Sequence, residues 1–153
     1  MRILVSACLL GVCCRYDGKT KPSESIIALS KEHQLIPVCP EQLGGLSTPR
    51  PPAERQGDEI RRQDGGDVTA EYKKGAQEAA RLYDLLQCDC AILKSRSPSC
   101  GKGVIYDGSF TGSFRAGDGV TAQLLKEKGI PVFSDEQEAA FADWMAINKR
   151  EDA

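Results

Sequence analysis

The chain has 153 residues, 41% of them hydrophobic and 27% charged, with a formal net charge of −2 and seven cysteines. That is enough chain for one ordinary domain with its own core, so the cysteines are not needed as staples. The slightly acidic balance, with no run near the ~18 apolar residues of a membrane span, excludes a membrane partner and gives no reason to expect duplex nucleic acid; small molecules are the expected partners.

Residues 3–7 are a continuous apolar run of strand length that delivers Cys8 to its end, and Gly11 with Asp17-Gly18 makes the next segment a loop. The opening has the outline of an export signal ahead of Cys13, but its apolar stretch is short and charged Arg15, Asp17 and Lys19 follow at once. The protein is therefore read as cytoplasmic, where thiols stay reduced and unpaired cysteines serve catalysis or metal binding. Ser23 is placed to cap a helix running to about His33, with Ile26, Ile27, Leu29 and Ser30 inward, and Leu35 to Cys39 is a second strand.

From Pro40 to Asp67 the proline-rich and charged text predicts a long loop, with a small hairpin around Glu59 to Gln63. Thr69 to Gln87 is the longest helix, with Tyr72, Ala76, Ala79, Ala80, Tyr83 and Leu86 at helical spacing and Asp67 or Thr69 as cap. Cys90 to Lys94 is a third buried strand, and Gly103 to Thr111 a two-stranded excursion around Asp107-Gly108. Thr121 then caps a helix over 122–128 that Gly129 closes, and Ile130 to Phe133 is the fourth strand. A last helix runs from Ser134 or Asp135 to about Asn148 and docks through Ala139, Phe141, Ala142, Met145 and Ile147. This alternation predicts right-handed βαβ units: an α/β fold, a single-domain Rossmann-like parallel sheet over residues 1–150 with helices on both faces. Ligands then belong at the carboxyl edge of the strands.

His33 is the only histidine and reads as a solvated imidazole in the polar string Lys31-Glu32-His33-Gln34. Mixed Cys/His zinc sites and Cys-His or Ser-His-Asp catalysis thereby lose a partner. There is no phosphate-binding G-x-x-x-x-G-K-[ST] loop, and Gly117-Asp118-Gly119 reads as a capping turn. Cys88 and Cys90 read as small buried hydrophobes, and neither C-x-x-C nor a compact ferredoxin run is present. Cys8, Cys39 and Cys100 are different: each stands at the end of a short apolar run, and if those runs are neighbouring parallel strands the three converge on one thiolate pocket; Cys13 or Cys14 lies in the glycine-bearing loop after Cys8. Soft thiolates select zinc, copper(I) or iron-sulfur clusters. Glu41, beside Cys39, is a candidate general base once partly buried, and Ser97 and Ser99 are either turn residues around Pro98 or hydroxyls offered to a bound heterocycle.

Several blocks in order carry a resemblance: Ser6-Ala7-Cys8-Leu9-Leu10-Gly11, Cys14-Arg15-Tyr16-Asp17-Gly18, Pro37-Val38-Cys39-Pro40-Glu41, Gly44-Gly45-Leu46, Thr48-Pro49-Arg50, Leu93-Lys94-Ser95, Ser97-Pro98-Ser99-Cys100-Gly101 and Gly119-Val120-Thr121-Ala122. Together they resemble the family long catalogued as domain of unknown function 523, whose characterised members are thiouracil desulfidases. The resemblance implies iron-sulfur-dependent, non-redox desulfuration of a thiolated pyrimidine, thiouracil to uracil with release of hydrosulfide. It also implies a 4Fe-4S cluster with one iron not ligated by protein. Four cysteines fit the blocks; Cys8, Cys39 and Cys100 are the expected ligands because each ends or closely follows a strand, with Cys14 the alternative. On this reading the open iron acts as a Lewis acid, Glu41 activates water, Ser97 or Ser99 hydrogen-bonds the ring or the developing charge, and Asp17 is a weaker proton-shuttle candidate. The alternative is a cysteine-ligated metal or iron-sulfur protein without turnover, in sulfur trafficking or redox sensing; a third reading is a metal-free binding module.

Overall fold

A computed structural model describes residues 1–151. Arg2–Ser6 forms β1, whose Ile3, Leu4 and Val5 are fully buried, as a strand covered on both faces requires. It stops short of Ala7 because residues 7–10 close into a 3-10 turn carrying Cys8. Ser23 caps α1 (Glu24–Ala28) as expected, its hydroxyl accepting from the Ile26 amide. The helix is shorter than predicted, tightening into a 3-10 turn at 29–31, and of its expected inner residues only Ile26 is buried. After β2 (Gln34–Val38) the predicted loop opens instead with α2 (Pro40–Leu43), where Pro40 occupies the first helical turn and has no amide to leave unpaired.

The hairpin comprises β3 (Ala53–Gln56) and β4 (Glu59–Arg62), so it turns at Gly57-Asp58, ahead of the expected place. α3 (Thr69–Leu85) follows, with the Asp67 carboxylate accepting from the Thr69 amide at 2.9 Å. β5 (Cys90–Leu93) leads to β6 (Val104–Tyr106) and β7 (Phe114–Ala116), which pair across a longer connection than the predicted tight turn. α4 (Val120–Glu127) is capped by Gly119 rather than Thr121, whose buried hydroxyl turns to that of Ser99 at 3.1 Å. β8 (Val132–Ser134) and α5 (Glu138–Glu151) both begin later than predicted. The intervening residues are used as ties: Asp135 accepts from the Ser95 amide at 2.7 Å, and the Gln137 side chain from the Ser134 amide at 3.0 Å.

The four central strands are all parallel, in the order β2-β1-β5-β8. From β1 the chain steps one way to β2 and the other way to β5, so the switch in direction lies between β1 and β5. One face of the sheet presents Ile3, Val5 and Ile92 to Ile26 of α1 and Phe141 of α5, with Trp144 and Met145 half-buried against them. Ala139, Ala142 and Ile147 face solvent, against expectation. The other face presents Leu4, Ala91 and Leu93 to Ala80 and Tyr83 of α3 and to Ala122 and Leu125 of α4.

α2 lies unusually close to α3. A Cβ at Gly44 would stand 1.9 Å from the Glu71 carbonyl oxygen, and one at Gly75 would stand 1.8 Å from the Pro40 carbonyl oxygen, so only two glycines allow this approach. It brings Tyr72 of α3 within reach of Glu41 of α2.

Candidate active site

The carboxyl ends of β1, β2 and β5 wall a cavity of about 440 Å³, beside the switch point where open α/β sheets place ligands. Four of the seven cysteines line it: Cys8 in the turn after β1, Cys14 further along that loop, Cys39 between β2 and α2, and Cys100 in the turn after β5. Cys8, Cys14 and Cys100 are buried and Cys39 half-buried, all as free thiols. Cys88 and Cys90 lie at the opposite, amino end of β5, and Cys13 is exposed.

The Cys39 thiol donates to the Cys14 carbonyl at 3.8 Å, and the Cys8 and Cys39 side chains both act on the Cys14 thiol. The bond with Cys39 lowers its pKa, but the bond with Cys8 and burial prevail and push it up to about 11. Cys39 is pushed up further by its bond with Cys14 and by burial, against the Gln42 amide at the start of α2. Burial lifts Cys100 to about 12, opposed by the Ser6 and Ser99 hydroxyls. Buried thiols of this kind are inert by themselves, whereas a metal centre takes the sulfur as thiolate and supplies the compensating charge. Among the described residues no three His, Cys, Asp or Glu side chains are grouped as they would be around a single metal ion. Sulfur-only donors around such a space fit an iron-sulfur cluster.

Glu41 rises from the first turn of α2 into the cavity wall. Its Oε1 accepts from the Tyr72 hydroxyl at 2.7 Å and from Arg50 Nε at 3.1 Å. Arg50, buried in turn, donates to the Ser47 carbonyl at 3.0 Å, the Thr48 hydroxyl at 2.9 Å and the Cys14 carbonyl at 2.8 Å. One guanidinium thus ties α2, the loop before β3 and the Cys14 segment together. Tyr72 is 2% exposed, and its phenol is held protonated well above the usual tyrosine range, by burial first and then by the Glu41 charge. Among the described residues none donates to Oε2 of Glu41.

Ser97 lines the cavity, and its oxygen accepts from the amides of Ser99 at 3.1 Å and Cys100 at 3.0 Å, which fixes the turn carrying Cys100. Its hydroxyl hydrogen remains available to a ligand. Ser99 is 1% exposed and sits behind the wall, bonded to Thr121 and receiving the Cys100 thiol at 3.8 Å. Of the two predicted serines, only Ser97 is brought to the cavity. Asp17 lies outside the wall, accepting from the Lys19 amide at 3.0 Å. His33 is also placed differently from the sequence expectation: it is buried at the amino end of β1, Nδ1 3.2 Å from the Met1 amine and Nε2 without a partner. The sequence reading did not single out Arg50, Tyr72 or Ser6, whose hydroxyl accepts from the Lys94 amide at 2.9 Å and supports Cys100.

A thiol-lined cavity at the switch point of a parallel α/β sheet, with an anchored carboxylate in its wall, describes a candidate cluster-binding enzyme. The sequence pattern of the 2-thiouracil desulfurase family matches residues 3–137, and the chain belongs to that family. It is 43% identical over 145 residues to the uncharacterized protein YbbK of Bacillus subtilis (strain 168), covering 88% of this chain and 96% of the relative. The solved structure of a 4Fe-4S-dependent thiouracil desulfidase, TudS, matches with a TM-score of 0.90 at 47% identity, over 95% of this chain and 98% of the other. The α/β parallel-sheet expectation is borne out by both the topology and this likeness.

Proposed function

We propose that this protein is an enzyme that removes sulfur from a small thiolated pyrimidine such as thiouracil, by a non-redox route that depends on a 4Fe-4S cluster. Cys8, Cys39 and Cys100 are the proposed ligands, each from a different strand end, leaving one iron without a protein ligand; Cys14 is the alternative ligand. The observation that carries this reading is the convergence of four free thiols, Glu41 and Ser97 on one cavity in a chain 47% identical to a 4Fe-4S-dependent desulfidase. When bound, the cluster supplies a Lewis-acidic iron suited to a soft thiocarbonyl sulfur.

Glu41 takes a proton from water through its free Oε2 as the water oxygen attacks the ring carbon. Ser97 donates its remaining hydrogen to the ring or to the charge that develops there. The carbon–sulfur bond then breaks, so a thiocarbonyl and water become a carbonyl and hydrosulfide with no change in electron count. At about 440 Å³ the cavity falls in the roughly 300–1,000 Å³ range of small-molecule sites. The free thiols suit a reducing cytoplasm.

Anaerobic reconstitution with iron and sulfide tests the reading. A brown protein that releases hydrosulfide from 2- or 4-thiouracil is expected. A colourless product without iron overturns it; a brown protein inert toward both substrates places it instead among cluster proteins without turnover.

A further inference from the structure

The Glu41 carboxylate has an asymmetry that the desulfidase reading does not itself require. Both of its hydrogen bonds, from Tyr72 at 2.7 Å and Arg50 at 3.1 Å, end on the same oxygen, Oε1. A carboxylate without such ties exchanges its two oxygens by rotation about its last torsion. Two donors from different elements acting on one oxygen remove that freedom and decide which oxygen is offered to the cavity. Tyr72 is brought to this oxygen by the Gly44 and Gly75 contact, and Arg50 is itself immobilised by three further acceptors. For helix packing alone, a phenylalanine at position 72 would fill the same volume.

We propose that Tyr72 is a positioning residue, with Arg50 as its companion: together they clamp Oε1 of Glu41 so that Oε2 is presented to the reacting water. The proposal rests on the desulfidase reading, in which Glu41 is the base. Misplacing a reacting group by a fraction of its approach distance costs up to about 100-fold in rate.

The test uses reconstituted protein. Tyr72→Phe keeps the ring and removes only the donor, so kcat should fall about 10- to 100-fold while the KM for thiouracil, the iron content and the visible spectrum stay at parental values. In a Glu41→Gln background the same substitution should change nothing further, because the two act through one group. Infrared difference spectra of parent and Tyr72→Phe should show a carboxylate band shift that disappears in the Glu41→Gln background. Arg50→Lys, which keeps the charge but cannot bridge the same acceptors, should show the same non-additive pattern. Slow Glu41→Gln turnover with effects that multiply would overturn the positioning role and leave the base assignment standing. Full turnover in Tyr72→Phe would do the same, whereas full turnover in Glu41→Gln would remove the base and the positioning role together.

Discussion

Cys14 leaves the site with one thiol more than a three-ligand cluster requires, and because it lines the same cavity as Cys8, Cys39 and Cys100, serine replacement is the discriminating measurement. Cys8→Ser, Cys39→Ser and Cys100→Ser should each lower the iron bound per chain and abolish turnover. Cys14→Ser should keep its iron; if it loses iron while Cys39→Ser retains it, the two residues exchange roles. Cys88→Ser and Cys90→Ser, at the far end of β5, should stay brown with only a modest loss of stability. Glu41→Gln should also stay brown yet turn over about 10²–10⁴-fold more slowly, the usual contribution of a general base. His33 gives a pH dependence away from the site. Burial, then the Met1 amine and Lys149, lowers its pKa below the ordinary value, so in mildly acidic solution the unfolded chain binds a proton that the folded chain refuses. Stability should therefore rise with pH up to about 6.5, and His33→Gln should flatten that rise in denaturation curves recorded across the range.

At the level of elements, the meeting of α2 and α3 reverses a common rule. Alanine in place of a glycine inside an exposed helix ordinarily stabilises by about 1 kcal/mol. At Gly75 the new Cβ would press on the Pro40 carbonyl, which is backbone and cannot swing aside. Gly75→Ala should instead destabilise by about 1–3 kcal/mol, read as a lower urea midpoint at unchanged slope. β1 and β5 were legible because a strand buried on both faces is an unbroken apolar run, and Cys8 and Cys39 because they stand just past the end of a strand. α2 was not legible: four residues have no helical period, and Pro40 reads as a breaker when it is in fact at the one helical position that suits it. The delayed start of α5 goes with Asp135 and Gln137 reaching backbone amides, and one of these belongs to Ser95, far away in the chain. Tyr72 shows the same limit, since its place in the apolar stripe of α3 is visible in the sequence while its bond to Glu41 is not. Ser99 shows the reverse: its motif resembles that of Ser97, and only the packing of α4 turns it away.

Across the whole molecule, β1 belongs to two cores at once, with Ile3 and Val5 on one face and Leu4 on the other. Leu4→Ala should cost about 2–5 kcal/mol, and although the lesion is on the α3 and α4 side it should be felt on both. Trp144, the only tryptophan, sits on the opposite face against Phe133. Its fluorescence and the far-ultraviolet circular dichroism should shift together to lower urea in this variant; separate transitions would mean that the two faces unfold independently. The cavity obeys the same logic. Its cysteines are drawn from turns after β1, β2 and β5, and no contiguous stretch of chain holds more than a fragment of the set. A chain still emerging from the ribosome has only scattered thiols to offer, and Cys100 emerges after most of the sequence has been made. On the proposed cluster reading, the full set of thiols exists only once β1, β2 and β5 have come together, so iron incorporation accompanies or follows folding.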